Sequence, residues 1–216
     1  MVTTPDWTAL VIGFVAGAVV AAVLWTTLRP TFSQPLFLRQ NFRGSEVPVG
    51  AGVVIVVASI VVWAVWNFVA EAFGWLDLSL LGLEPIVLVA AGFGLLGLFD
   101  DLAATGDDKG FRGHLGALAH GRLTTGGLKL LGGGFLAVAV TPMVMSGWWR
   151  LLLGAAVIAL GANLGNLLDR APARCTKVAL VCGVALFATC GVAEAYALVG
   201  VAVVLGAAVG LVFFDA

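Results

Sequence analysis

Apolar residues in this chain neither alternate nor gather on one helical face. They continue in unbroken runs separated by short polar segments. Trp7 to Leu28 carries no charge, nor does Val47 to Ala70. Pro85 to Phe99 stops at Asp100-Asp101 and is extended on its N-terminal side by Leu78 to Leu83. Leu123 to Trp149 holds a single lysine, Lys129, and is followed by Leu151–Leu168, Val178–Ala193 and Ala195–Phe214. A membrane-crossing helix needs about 20 apolar residues, and hydrocarbon offers no partner for an open backbone. The pattern therefore predicts an all-α, polytopic membrane helix bundle of about seven transmembrane helices. They fall near 7–28, 47–70, 80–99, 123–146, 149–168, 177–193 and 195–214, within one transmembrane domain over 1–216. The first run is too long for a signal-peptide core and has no basic segment before it, so it reads as a retained span.

Composition narrows the class further. The chain is 61% hydrophobic and 11% charged, against about a quarter charged in a soluble domain, and its mean hydropathy is +1.10. A disordered chain, an ordinary soluble domain and a nucleic-acid binder driven by net charge are all excluded. The net charge of −1 matters less than where the charges lie. With seven spans, Arg29, Arg39, Arg43, Lys109, Arg112, Arg122, Lys129, Arg170, Arg174 and Lys177 share one side, leaving only Arg150 on the other with Asp6, Glu71, Asp77, Glu84 and Glu194. The positive-inside rule then predicts an outside N-terminus and a cytoplasmic C-terminus in the cell membrane.

Small residues inside the runs, Gly13/Gly17, Gly132 to Gly134 and Gly161/Gly165, predict close helix packing, and such faces also suit a homodimer. Gly92-Phe-Gly94-Leu-Leu-Gly97 has dinucleotide-fingerprint spacing, but it lies in an apolar span rather than a βαβ unit and reads as packing. Cys175, Cys182 and Cys190 fall on one predicted helix, where they cannot bridge one another.

The polar residues carry the chemistry. Adjacent carboxylates at the end of an apolar span repel each other and are costly near hydrocarbon. A divalent cation removes both costs, and Mg²⁺ typically takes one or two carboxylates plus phosphates and water. A solvated helix end explains the pair Asp100-Asp101 as readily. The loop beyond holds Asp107-Asp108, then Lys109, Arg112, His114, His120 and Arg122 among glycines. This is a segment suited to phosphates, or to anionic membrane lipids. Asn163, Asn166 and Asp169 recur every third residue and share a helix face. Asn41 and Arg43, followed by Pro48-Val-Gly-Ala-Gly52, form a further polar corner. An acidic pair, an amide-carboxylate row and basic loops on one membrane side suit a metal-bound, phosphate-bearing substrate.

These residues resemble a known superfamily, the polyprenyl-phosphate N-acetylhexosamine-1-phosphate transferases, which includes the phospho-N-acetylmuramoyl-pentapeptide and undecaprenyl-phosphate N-acetylglucosamine-1-phosphate transferases. Asn41-Phe-Arg43-Gly44-Ser-Glu-Val-Pro48-Val-Gly50-Ala-Gly52 is similar to the family's loop before its second span. Gly97-Leu-Phe-Asp100-Asp101 is similar to its G-x-x-D-D block, and Gly161-Ala-Asn163-Leu-Gly-Asn166-Leu-Leu-Asp169 to its N-x-x-N-x-x-D block. The order and approximate spacing agree over nearly the whole chain. The family's third block usually continues D-G-x-D-G, whereas Arg170-Ala-Pro172-Ala173 follows here, and Phe213-Phe214-Asp215-Ala216 stands where a later glycine-aspartate block would begin. The resemblance therefore implies a short or C-terminally truncated member.

By that resemblance, a sugar-1-phosphate passes from a UDP-sugar to polyprenyl phosphate with release of UMP, for a cell-envelope polymer such as peptidoglycan. Asp100, Asp101 and Asp169 are the implied catalytic residues, with Asp100 and Asp101 positioning Mg²⁺. Asn41, Arg43, Asn163, Asn166, Lys109, Arg112, His114 and Lys129 are the implied substrate-binding residues. The alternative expectation is a catalytically inactive or truncated relative that binds lipid-linked precursors or an envelope-assembly partner. Two other enzyme classes fit less well. Asp169-Arg-Ala-Pro-Ala-Arg174 only echoes the CDP-alcohol phosphotransferase pattern, and the D-D-x-x-D of prenyltransferases would need an aspartate where Ala104 stands.

Overall fold

A computed structural model describes residues 7–41, 44–74, 83–103, 116–117, 120–121, 124–169, 173–189 and 198–212. Helix dominates among them. In chain order the elements are α1 (Trp7–Phe32), a 3₁₀ turn at Pro35–Phe37, β1 (Leu38–Gln40), β2 (Glu46–Pro48) and α2 (Val53–Ala72). They continue with α3 (Leu83–Ala103), α4 (Thr125–Val144), α5 (Trp148–Leu168), α6 (Arg174–Thr189) and α7 (Val199–Val212). The first five helices, α1 to α5, are long and apolar enough to cross a membrane. The side chains they leave outermost agree: Phe68 and Phe135 are about three-quarters exposed, and Leu152, Leu153, Val157 and Leu160 more than half. In water such a surface would drive aggregation, whereas in hydrocarbon it is solvated. The chain is thus membrane-embedded. Three polar side chains of these helices bond within their own helix: Ser59 Oγ donates to the Ile55 carbonyl at 2.8 Å, Asn67 Nδ2 to that of Trp63 at 2.8 Å and Thr141 Oγ1 to that of Ala137 at 2.6 Å. Such back-bonds satisfy a hydroxyl or amide where lipid cannot.

One described helix starts well inside its apolar run. The second run was expected from Val47, but residues 46–48 form a strand and α2 begins only at Val53. Pro48 has no N–H for a helix interior, and Gly50 adopts a left-handed φ of +74°, so Pro48 to Gly52 makes a turn out of mostly apolar residues. The break expected between the spans near 123–146 and 149–168 falls at Gly147 (φ +91°), separating α4 from α5. Thr124 caps α4, its Oγ1 accepting the Gly127 N–H at 3.0 Å.

The helices gather into two compact units. One is built from α1 up to Leu28, α2 from Val54, α3 up to Ala90, the end of α5 from Leu164, α6 and α7. Its core joins Ala9, Leu10, Val62, Val199, Ala202 and Val203. Here α7 lies directly on α1. A side-chain carbon added at Gly17 would meet the backbone of Val203 and Ala207; one at Gly206 would meet the carbonyl of Phe14, and one at Gly210 that of Ala18. Positions rise together along both helices, so α1 and α7 run parallel with backbones touching. Only glycine permits that approach. The other unit holds 29–53, α3 from Ala91, α4, and α5 up to Asn163. In it α3 and α4 run antiparallel: Gly92 faces Leu136, Gly133 faces Phe93 and Gly132 faces Leu96. Gly13/Gly17 and Gly132/Gly133 thus serve packing as expected. Gly161 has no neighbour within 4 Å and Gly165 only the Cys175 sulfur at 3.9 Å, so the third small-residue pair is not a close-packing site here. Gly92 to Gly97 lies wholly within α3.

Candidate functional site around Asp100 and Asp101

The last described turn of α3 carries Asp100 and Asp101. Carboxylates at a helix C-terminus lie at the negative end of its dipole, and no basic residue of that turn compensates them. Lys129 is the fifth residue of α4, past its first turn, so its charge gains nothing from that helix's dipole. The antiparallel packing of α3 and α4 brings the two charges together. Lys129 Nζ lies 3.3 Å from Asp100 Oδ2, each side chain 28% exposed. A partly exposed pair of this kind is worth on the order of 1 kcal/mol. Neither charge helps its own helix, so helix stability does not explain the arrangement.

Asp101 is held from a different direction. After β1, Asn41 makes the hairpin turn: its Oδ1 accepts the Ser45 N–H at 3.0 Å, and its carbonyl the Gly44 N–H at 3.0 Å. β1 and β2 then pair antiparallel, with Arg39 opposite Val47. The Val49 N–H reaches the Phe37 carbonyl at 2.7 Å, and Phe37 packs on Phe32 with ring centroids 5.0 Å apart. This small built corner aims the next amide outward. The Gly50 N–H donates to Asp101 Oδ2 at 3.1 Å, across 51 positions of sequence. Two motifs that sequence alone could only set in order, the Asn41–Gly52 loop and the G-x-x-D-D block, therefore meet at one carboxylate.

The remaining expected site residues divide as follows. Asn163 and Asn166 lie on α5, three apart and both exposed, and Asp169 follows in the turn that ends it. Its N–H bonds the Gly165 carbonyl at 3.0 Å. Partial burial holds the Cys175 thiol above its ordinary value, with the Asp169 carboxylate as the second cause. Arg43, Lys109, Arg112 and His114 lie outside the described residues. Asn41, expected as a substrate ligand, turns its amide oxygen to the Ser45 N–H. Gly50 was legible only as part of the Asn41–Gly52 block, because what it offers Asp101 is a backbone amide, which leaves no side-chain signal.

Among the described residues no three His, Cys, Asp or Glu side chains gather into a ready-made metal cage. Asp100 and Asp101 supply two adjacent carboxylates, a donor set that suits Mg²⁺ when substrate phosphates and water complete the shell. In that limited sense the residues fit the ion. Compared with known proteins, the chain matches no family model, and neither a curated protein nor a solved structure is similar to it.

Proposed function

We propose that the protein is a Mg²⁺-dependent membrane transferase that moves a sugar-1-phosphate from a UDP-sugar to polyprenyl phosphate and releases UMP. The observation that carries this reading is the Gly50–Asp101 hydrogen bond beside the Lys129–Asp100 pair. It joins two of the three sequence blocks that resemble the superfamily at a pair of carboxylates with no helix-stabilising purpose. In the reaction a lipid-phosphate oxygen bonds the β-phosphorus of the UDP-sugar as the bond from that phosphorus to the UMP oxygen breaks. The second pKa of a phosphate monoester is about 6, so the acceptor is ionised at neutral pH and needs no protein base. Bound Mg²⁺ would supply charge neutralisation on the transferring phosphoryl group, and Asp100 and Asp101 would hold it. Arg43, Lys109 and Arg112 have the charge to bind phosphates, and His114 has a ring N–H to donate to them. Asn163, Asn166 and Asp169 have the donors and acceptors for the nucleotide-sugar.

The reading carries a topology with it. Seven crossings put α1 and α7 in the same direction through the membrane, in keeping with their parallel packing. The basic loops after the first, third and fifth spans then lie in the cytoplasm, with the reaction on that face of the plasma membrane.

The test is UMP release by purified protein with undecaprenyl phosphate, Mg²⁺ and a panel of UDP-sugars, with Asp100→Asn and Asp101→Asn beside it. Release that requires lipid, metal and both aspartates is expected, with turnover lost in either variant and the fold retained. Full activity in Asp101→Asn overturns the assignment. No release from folded protein across the panel favours a lipid-linked-precursor binder.

A further inference from the structure

The cation beside Asp100 belongs to the protein itself. Lys129 Nζ approaches Asp100 Oδ2 at 3.3 Å, on the carboxylate that the functional reading above gives to the metal. The scaffold under this pair leaves little play. One turn away Gly132 takes Leu96, its virtual Cβ 3.0 Å from Leu96 Cδ2, and Phe93 and Leu136 press on Gly133 and Gly92. Asp101 is fixed separately by the Gly50 amide. The ammonium is thus anchored on the neighbouring helix and set against one member of an adjacent-carboxylate pair.

We infer that Lys129 is a resident counter-ion, and that a divalent cation binds Asp100 by displacing its ammonium. Two positive charges cannot share one carboxylate oxygen at contact distance without repelling each other. The lysine therefore neutralises the pair in the resting protein and competes with the metal for it. Lysine suits this role because its flexible four-carbon stem lets the ammonium swing aside while the backbone stays packed. Displacement exchanges a single positive charge at the carboxylate for a double one and leaves the freed ammonium next to the metal. The metal and any phosphate-bearing ligand then favour each other's binding, by the reciprocity that links two sites. The inference rests on the transferase reading only for the identity of the site. The exchange itself can be tested without substrate.

The experiment is Mn²⁺ binding to the full-length protein in detergent, with no lipid or nucleotide, read as free Mn²⁺ by electron paramagnetic resonance. Lys129→Met removes the competitor, and the Mn²⁺ dissociation constant is expected to fall at least threefold. Lys129→Arg keeps a cation on the stem and gives no tightening; Asp100→Asn weakens binding at least tenfold. Size-exclusion profiles identify any variant that fails to fold, and Lys129→Gln then replaces Lys129→Met. Unchanged or weaker Mn²⁺ binding in both folded neutral variants overturns the inference, as does the absence of Mn²⁺ binding in every variant. Tightening in Lys129→Met together with no UMP release from the unsubstituted protein would sustain the exchange and defeat the transferase reading, so the two fail separately.

Discussion

Replacing Gly206 by alanine tests whether α1 and α7 are held together by backbone approach. The added carbon would fall on the Phe14 carbonyl, 2.7 Å from its carbon and 2.9 Å from its Cα. These obstacles are backbone atoms, so no rotamer change relieves them. Relief requires the helices to part by roughly 1 Å, and a gap of that size forfeits about a quarter to a half of each dispersion well of ~0.1–0.2 kcal/mol. Over on the order of 50 atom pairs along the seam, the loss is ~1–5 kcal/mol, centred near ~3 kcal/mol. Alanine returns up to ~1 kcal/mol of helix propensity, leaving a net destabilisation of ~2 kcal/mol, within the usual range for overpacking. Gly134→Ala is the control, because a side-chain carbon there meets nothing within 4 Å, and it should be neutral or stabilising by up to ~1 kcal/mol. Unfolding in mixed micelles with rising SDS, followed by far-ultraviolet circular dichroism, measures both. A Gly206→Ala protein as stable as the parent would refute the close-packed seam.

Two further outcomes follow from the same structure. Gly50→Ala puts a side chain on a left-handed residue at a cost of ~1–2 kcal/mol and drives its Cβ to 2.7 Å from Leu98 Cδ1. UMP release should fall at least tenfold, and Leu98→Ala should not restore it because the backbone strain remains; parental activity in Gly50→Ala would remove Gly50 from the site. Single cysteines at Ser33 and Ser146, both exposed, in a background with Cys175, Cys182 and Cys190 changed to serine, report the topology. An impermeant maleimide should label position 146 on intact cells and position 33 only after permeabilisation, and the reverse pattern inverts the orientation.

Much of the helical layout was legible because it depends on unbroken apolar length, which five of the helices satisfy outright. The start of α2 was not. Val47, Val49 and Ala51 look like span residues by hydropathy, and only Pro48 and the φ of Gly50 reveal the strand and turn. Glycine spacing identified Gly13 and Gly17 as packing positions but could not name their partner. Gly206 and Gly210 complete the seam from the other end of the chain. At the site, charge in an apolar context singled out Asp100, Asp101 and Lys129. Sequence could not show that the lysine meets the first aspartate, because that depends on how α3 and α4 are offset along their common axis. Nor could it show the Gly50 amide, which would look the same in any residue.

The α1–α7 seam also bears on how the protein is made. Gly17 and Gly206 touch neighbouring backbone in the finished fold, yet about 190 residues separate their synthesis, and at about 5–20 residues per second the ribosome needs roughly 10–40 s to bridge them. Throughout that interval the nascent first helix presents its small-residue groove without the helix that fills it. Forming this seam is therefore a late docking step, in which α7 joins α1 only after the helices between them have been synthesised.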